Sequence, residues 1–144
     1  MKIEYVTLDS SFLVSFFSQD ELNYEASKKF MDYVSQKQII FLVPMIVLFE
    51  VFHTLRRTGV FESDHEYSKF QAFLNSGFLK YFDLNMGFFN MFREFPFFNE
   101  LKTSDAIIAA SAFINKSILI SWDKHLLKNS WNGYSPDEFL KKFA

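Results

Sequence analysis

The 144-residue chain contains no cysteine. That excludes a disulfide framework, thiol catalysis and any zinc site ligated by cysteine. No run approaches the roughly 18 apolar residues that a membrane span needs. The opening Met1-Lys2, followed by Ile3-Glu4-Tyr5-Val6-Thr7-Leu8, lacks the cleavage region of a secretory signal peptide. A cytoplasmic protein with no membrane association is therefore expected. There is no large charge excess either. The net charge of −2 does not mark a nucleic-acid binder by bulk electrostatics, although a local patch can differ from the total. Internal repeats, low-complexity tracts and linkers are also lacking, so one domain over residues 1–144 is expected. A chain of this length buries roughly two-thirds of its unfolded surface.

What is abundant is phenylalanine, with 21 residues. Compositional bias accounts for such a number, and so does an apolar surface that a partner covers. The segment from Phe88 to Phe98 is the densest, with Phe88, Phe89, Phe92, Phe95, Phe97 and Phe98. Core packing is its ordinary role. One amphipathic helix rarely buries so many aromatics on a single stripe, so a contact with a second copy or another protein is the other expectation.

Lys2 to Leu8 reads as a strand ending at Asp9, and Ser10 to Phe17 as a short apolar helix. Ser18-Gln19-Asp20-Glu21 fits a capping box opening a helix to about Ser35, with Leu22, Ala26, Phe30 and Val34 at four-residue spacing. Ile39 to Val43 is a continuous apolar run, read as a second buried strand. Pro44 can open the next helix, which runs to about Thr58 and ends at Gly59. A second capping box, Ser63-Asp64-His65-Glu66, starts a helix that stops at Gly77. A strand is expected within Phe78–Leu84 and a helix over Asn85–Phe95. A helix carrying Asp105 in its first turn follows, then the strand Ile118–Ile120. Ser135-Pro136-Asp137-Glu138 is a third capping box before a C-terminal helix. Strands alternating with helices indicate an α/β fold with a parallel sheet.

Asp9 and Asp123 follow apolar strands, and ligand sites of open α/β sheets lie outside the carboxyl ends of strands. Asp105 opens a helix. Glu50 stands in an otherwise apolar helix, where an acid is rarely buried unless paired or metal-bound. Each acid alone has an ordinary role: Asp9 and Asp105 as helix caps, Asp123 in a turn, Glu50 facing solvent. Together they mutually repel and need a cation. Carboxylates without cysteine or a paired histidine favour Mg²⁺ or Mn²⁺.

In these motifs the chain resembles the PIN-domain family, and within it the VapC-like ribonuclease toxins of bacteria and archaea. The resemblance rests on four ordered motifs: Leu8-Asp9-Ser10; Val43-Pro44 followed by Glu50; Leu101-Lys102-Thr103-Ser104-Asp105-Ala106; and Ser121-Trp122-Asp123. Ser121 stands where the family usually has threonine, which keeps the hydroxyl. The resemblance implies a three-layer α/β domain whose central, mostly parallel sheet is flanked by helices. It implies a metal-dependent endoribonuclease, the toxin of a type II toxin–antitoxin pair, hydrolysing RNA at a four-carboxylate site. Asp9, Asp105 and Asp123 would ligate Mg²⁺ or Mn²⁺. Glu50 would do so directly or through water, or would position the attacking water. Ser10 and Ser121 would orient carboxylates, and Lys102 and Arg57 would hold RNA phosphates. An antitoxin and a second copy of the chain are the implied partners. The alternatives are a PIN nuclease of RNA maturation, a catalytically silent RNA- or protein-binding module on the same fold, and a phosphoacceptor signalling domain. The last would want a paired acid after strand 1, where Ser10-Ser11 stand instead.

Overall fold

A computed structural model of the chain describes residues 2–95 and 98–144; Pro96 and Phe97 of the Phe-rich segment lie outside the described residues. Five parallel strands form one sheet in the order β3-β2-β1-β4-β5. They are β1 (Tyr5–Leu8), β2 (Ile40–Pro44), β3 (Leu79–Phe82), β4 (Ile118–Ile120) and β5 (Gly133–Tyr134). The helices are α1 (Ser10–Phe17), α2 (Tyr24–Gln36), α3 (Met45–Arg57), α4 (Asp64–Leu74), α5 (Met86–Phe92), α6 (Thr103–Ile114), α7 (Lys124–Lys128) and α8 (Pro136–Phe143). Strand order runs outward from β1 to β2 and β3, then returns to the other side of β1 for β4 and β5. The switch point of the sheet therefore lies between β1 and β4, where Thr7 pairs with Leu119 and Leu8 with Ile120.

Local chemistry explains most of these elements. β1, β2 and β4 are apolar and almost wholly buried, as strands covered on both faces should be. α1 is apolar on nearly all sides and buries Phe12, Leu13 and Phe17 completely. It is the central helix of its layer, packed against α2, α3 and α4. Phe30 of α2 meets Phe12 edge-on at 5.2 Å and Phe139 of α8 edge-on at 5.1 Å. Much of the phenylalanine excess is thus spent on one aromatic core. The buried hydroxyls of Thr7 and Ser117 hydrogen-bond to each other, tying β1 to the start of β4. Gly59 takes φ +83° after α3, as a left-handed cap requires.

Two expectations need correction, and two elements were unforeseen. The Ser18–Glu21 capping box does not form. Residues 18–23 make a turn in which the Glu21 N–H donates to the Ser18 carbonyl at 3.0 Å, and α2 begins only at Tyr24. Leu22 is consequently 96% exposed rather than on the apolar stripe. The Ser63 box is half made. The Ser63 hydroxyl accepts from the Glu66 N–H at 3.4 Å, while the Glu66 carboxylate accepts from the Gln19 amide at 3.2 Å instead. Lastly, α7 and β5 were not anticipated at all. The third box is complete, with Ser135 and Glu138 bonded reciprocally and Pro136 in the first turn.

The aromatic core gives a direct stability expectation. Phe30→Ala removes a fully buried ring shared by α1, α2 and α8, so it should cost about 3–5 kcal/mol. Urea unfolding of the two proteins measures this; a loss below about 1 kcal/mol would contradict the packing described.

Candidate active site

Asp9 follows β1 directly, and its own N–H donates to the Ile120 carbonyl of β4 at 3.0 Å. The residue is 3% exposed. Although Asp9 occupies the cap position of α1, its side chain does not cap that helix. The carboxylate is held by hydroxyls instead. Ser11 and Ser121 each donate to Oδ2 at 2.7 Å, and Ser10 donates more weakly to Oδ1 at 3.4 Å.

Ser121 and Ser11 do more than hydrogen-bond Asp9. The Ser121 hydroxyl accepts from the Asp123 N–H at 2.9 Å, and the Ser11 hydroxyl accepts from the Trp122 N–H at 3.0 Å. These bonds fix the segment leaving β4 relative to the segment leaving β1. Ser11 was missed in the sequence; its only signal there is a hydroxyl two residues after an acid that ends a strand.

Asp123 caps α7, with Oδ1 accepting from the N–H groups of His125 at 3.0 Å and Leu126 at 3.1 Å. That uses one of its two oxygens. Asp105 lies in the first turn of α6 and is buried, but Lys102 occupies the cap position. Glu50 does not face solvent freely: its Oε1 is buried without a hydrogen-bond partner. An unpaired buried carboxylate oxygen costs stability unless a donor or cation arrives.

Electrostatics joins the four acids. Burial raises the Glu50 pKa above the usual carboxylate range. The charges of Asp9 and Asp105 raise it further, whereas the Ser10 hydroxyl and Lys102 favour its ionised form. Burial also raises the Asp105 pKa. There Lys102 and His125 act to lower it, and Asp9 and Asp123 to raise it. The acids thus form a coupled row in which Glu50 and Asp105 both feel Asp9, and Asp105 also feels Asp123. Lys102 is exposed and sits near Glu50 and Asp105. Arg57 is exposed in the last turn of α3, two turns beyond Glu50 on the same helix face; nothing in the structure draws it to the acids. Among the described residues, no three His, Asp or Glu side chains are arranged to hold a metal ion by themselves. The chemistry of the donors still suits a hard cation. Mg²⁺ retains several waters and is commonly bound by one or two carboxylates together with substrate phosphate.

Two stability measurements follow. Because the folded pKa values of Glu50 and Asp105 are raised, their favourable contribution is present below the ordinary carboxylate range and is lost as pH rises through the raised values. Metal-free stability should therefore fall as pH rises toward neutrality. Glu50→Gln should flatten that fall and equal or exceed the wild type at about pH 7. A mutant curve parallel to the wild type would contradict the coupling. Ser121→Ala should cost about 1–3 kcal/mol, since it removes a donor from Asp9 and an acceptor from the Asp123 N–H. A neutral effect in denaturant melts would contradict that.

Solved structures share this architecture. The toxin VapC20 of Mycobacterium tuberculosis, which cleaves the sarcin–ricin loop, matches with a TM-score of 0.64 at 14% identity, over 84% of this chain and 92% of that one. VapBC2 of Rickettsia felis, solved bound to a DNA fragment from its promoter, matches with a TM-score of 0.69 at 15% identity, over 91% and 98%. A toxin–antitoxin complex from Klebsiella pneumoniae gives 0.67 at 15% identity, over 91% and 97%. No curated protein sequence matches the chain. Identity this low establishes the fold. The PIN domain family model, however, matches residues 6–132. That span holds the switch-point strands and all four acids, and the chain belongs to the PIN domain family.

Proposed function

We propose that this PIN domain is a metal-dependent endoribonuclease that hydrolyses RNA phosphodiester bonds, and that it acts as the toxin of a toxin–antitoxin pair. The observation that carries the reading is the row of coupled acids at the switch point, with a buried Glu50 oxygen left without a donor. Such a row is costly in the metal-free fold and is relieved by a divalent cation. Asp9, Glu50, Asp105 and Asp123 are the residues that would hold Mg²⁺ or Mn²⁺. The bound ion would supply an activated water and neutralise charge building on the phosphate.

The chain's own groups supply orientation. Asp9 is fixed by Ser11 and Ser121, so its oxygens need no rearrangement on binding. Ser10 donates weakly to Asp9 Oδ1 at 3.4 Å. Asp123 has one oxygen tied to the start of α7, which fixes the direction of the other. Lys102 acts on both Glu50 and Asp105 and is suited to a phosphate oxygen; Arg57 is a second, more distant phosphate contact along α3.

The partner protein follows from the same reading. The Klebsiella neighbour is a toxin–antitoxin complex, and an antitoxin would suppress this activity in the cell. The apolar surface suits protein contacts: Phe49 is 72% exposed, Met86 68% and Phe89 50%. By contrast Phe88 and Phe98 are buried, so the Phe-rich segment divides between core and surface. We assign its surface half to self-association. No described helix is long and apolar enough to cross a membrane.

Purified protein should cleave RNA with Mg²⁺ or Mn²⁺ and stop in excess EDTA. Asp105→Asn keeps the shape while removing a charge from the row, and should lower cleavage at least a hundredfold, a loss of about 2.7 kcal/mol. Gel assays decide this; cleavage persisting in EDTA, or a mutant as active as wild type, would sink the reading. Sedimentation should show a dimer that Met86→Glu with Phe89→Glu converts to monomer. A monomeric wild type would refute the self-association.

A further inference from the structure

The row of acids opens at Glu50 into a cavity that reaches beyond the acids themselves. It has a volume of about 400 Å³ between the start of α1, the 18–23 turn and α3; Ser10, Ser11 and Glu50 of the acid site share its wall with Val14, Ser15, Glu21, Asn23, Thr54 and Trp122. That volume is in the usual range of small-ligand sites, roughly 300–1,000 Å³.

The composition of the wall is informative. Among the described residues no lysine, arginine or histidine lines it, and two carboxylates do. A phosphate would be repelled there, whereas Lys102 lies beside Glu50 and Asp105 without entering this wall. The cavity suits an uncharged group that offers hydrogen-bond donors. Two of its residues are also released from the roles their sequence positions suggest. Asn23 stands at the cap of α2, where asparagine normally bonds the first turn, yet its side chain makes no cap bond. Glu21 sits where a capping box would use it, and that box does not form. The 18–23 turn instead brings a carboxylate and an amide, two residues apart, to one cavity.

We infer that this cavity is a base-binding subsite that accepts an unpaired guanine next to the scissile phosphate. Guanine alone among the RNA bases presents adjacent N1–H and N2–H donors, which a carboxylate accepts as a pair. Beside them is the O6 acceptor, which an amide N–H can reach. Glu21 takes the donors and Asn23 the acceptor, while Val14 and Trp122 provide apolar surface for the ring. Because the base must leave its stack and its partner to enter, single-stranded or looped RNA is the substrate form. The inference rests on the ribonuclease reading for its setting, but binding of the base can be measured without cleavage.

Two measurements separate the claims. In the first, a random-sequence RNA pool is cut with Mn²⁺ present and the ends are sequenced. Wild type should show guanine enriched about tenfold or more at one position flanking the cut, the discrimination expected of a good bidentate contact. Glu21→Gln, an exposed and isosteric change, should bring that position close to an even distribution, and Asn23→Ala should weaken it. Cleavage without guanine enrichment, or enrichment unchanged in both variants, overturns the subsite and leaves the nuclease reading intact. In the second, guanosine is titrated into metal-free protein while the indole N–H signal of Trp122 is followed by NMR, with Trp131→Phe identifying it. A saturable shift with guanosine, absent with uridine and lost in Glu21→Gln, is expected. That shift without any RNA cleavage would uphold the subsite and sink the nuclease reading. No shift with guanosine overturns the subsite. An equal shift with guanidinium chloride also overturns it, marking a place for an arginine of a protein partner instead.

Discussion

The arrangement of the site depends on a carboxylate held out of water at the end of the central strand. Asp9 is 3% exposed, and a buried polar group without hydrogen bonds is costly. Ser11 and Ser121 offset this by donating to the same oxygen. Because Ser121 belongs to the segment after β4 and Ser11 to α1, satisfying Asp9 also locks the two halves of the sheet at their switch point. The same serines accept the N–H groups of Asp123 and Trp122. Trp122 in turn donates through its indole to Ser27 of α2 at 2.8 Å, and Ser27 meets Ser15 of α1 at 2.6 Å. A polar thread thus runs from the acid into the helical layer without leaving a donor stranded.

The other acids are treated differently, and the difference is what gives the site its capacity. Asp123 is partly satisfied by the helix it caps. Glu50 and Asp105 have no comparable set of donors, and burial with neighbouring charge pushes both toward their protonated forms. On the proposed reading, one hydroxyl-held carboxylate beside two whose charge is disfavoured would lower its free energy by taking a cation, an electrostatic cost of the kind found where stability and activity compete.

The parallel α/β fold and the positions of the four acids within it are largely legible in the sequence. Asp9 and Asp123 stand out because each follows an apolar strand, Asp105 because it opens a helix and Glu50 because it lies within an otherwise apolar one, and β2-Pro44-α3 is signalled by a run of five apolar residues and a proline. The C-terminal helix announced itself through Ser135, Pro136 and Glu138. Other features were hidden for identifiable reasons. α7 and β5 are too short to establish a period, and β5 exists only because β4 offers it an edge. Ser18 and Glu21 have the spacing of a cap but are pulled into a turn, so a local rule yields to the tertiary path from α1 to α2. Ser11 carries no distinguishing sequence context; its role appears only when the segment after β4 arrives beside it. The division of the Phe-rich segment into buried Phe88 and exposed Phe89 likewise depends on how α5 meets β3, where Phe82 and Phe88 pack edge-on at 5.3 Å.

The central claim is that the coupled acids are one cation site. Diffraction from crystals soaked in Mn²⁺, with data collected at the manganese absorption edge, tests it most directly. The account predicts an anomalous peak bound to the carboxylates of Asp9 and Asp105, missing in Asp105→Asn crystals treated in the same way. A wild-type map with no peak among the four acids at saturating Mn²⁺, or a peak unaffected by Asp105→Asn, would contradict it.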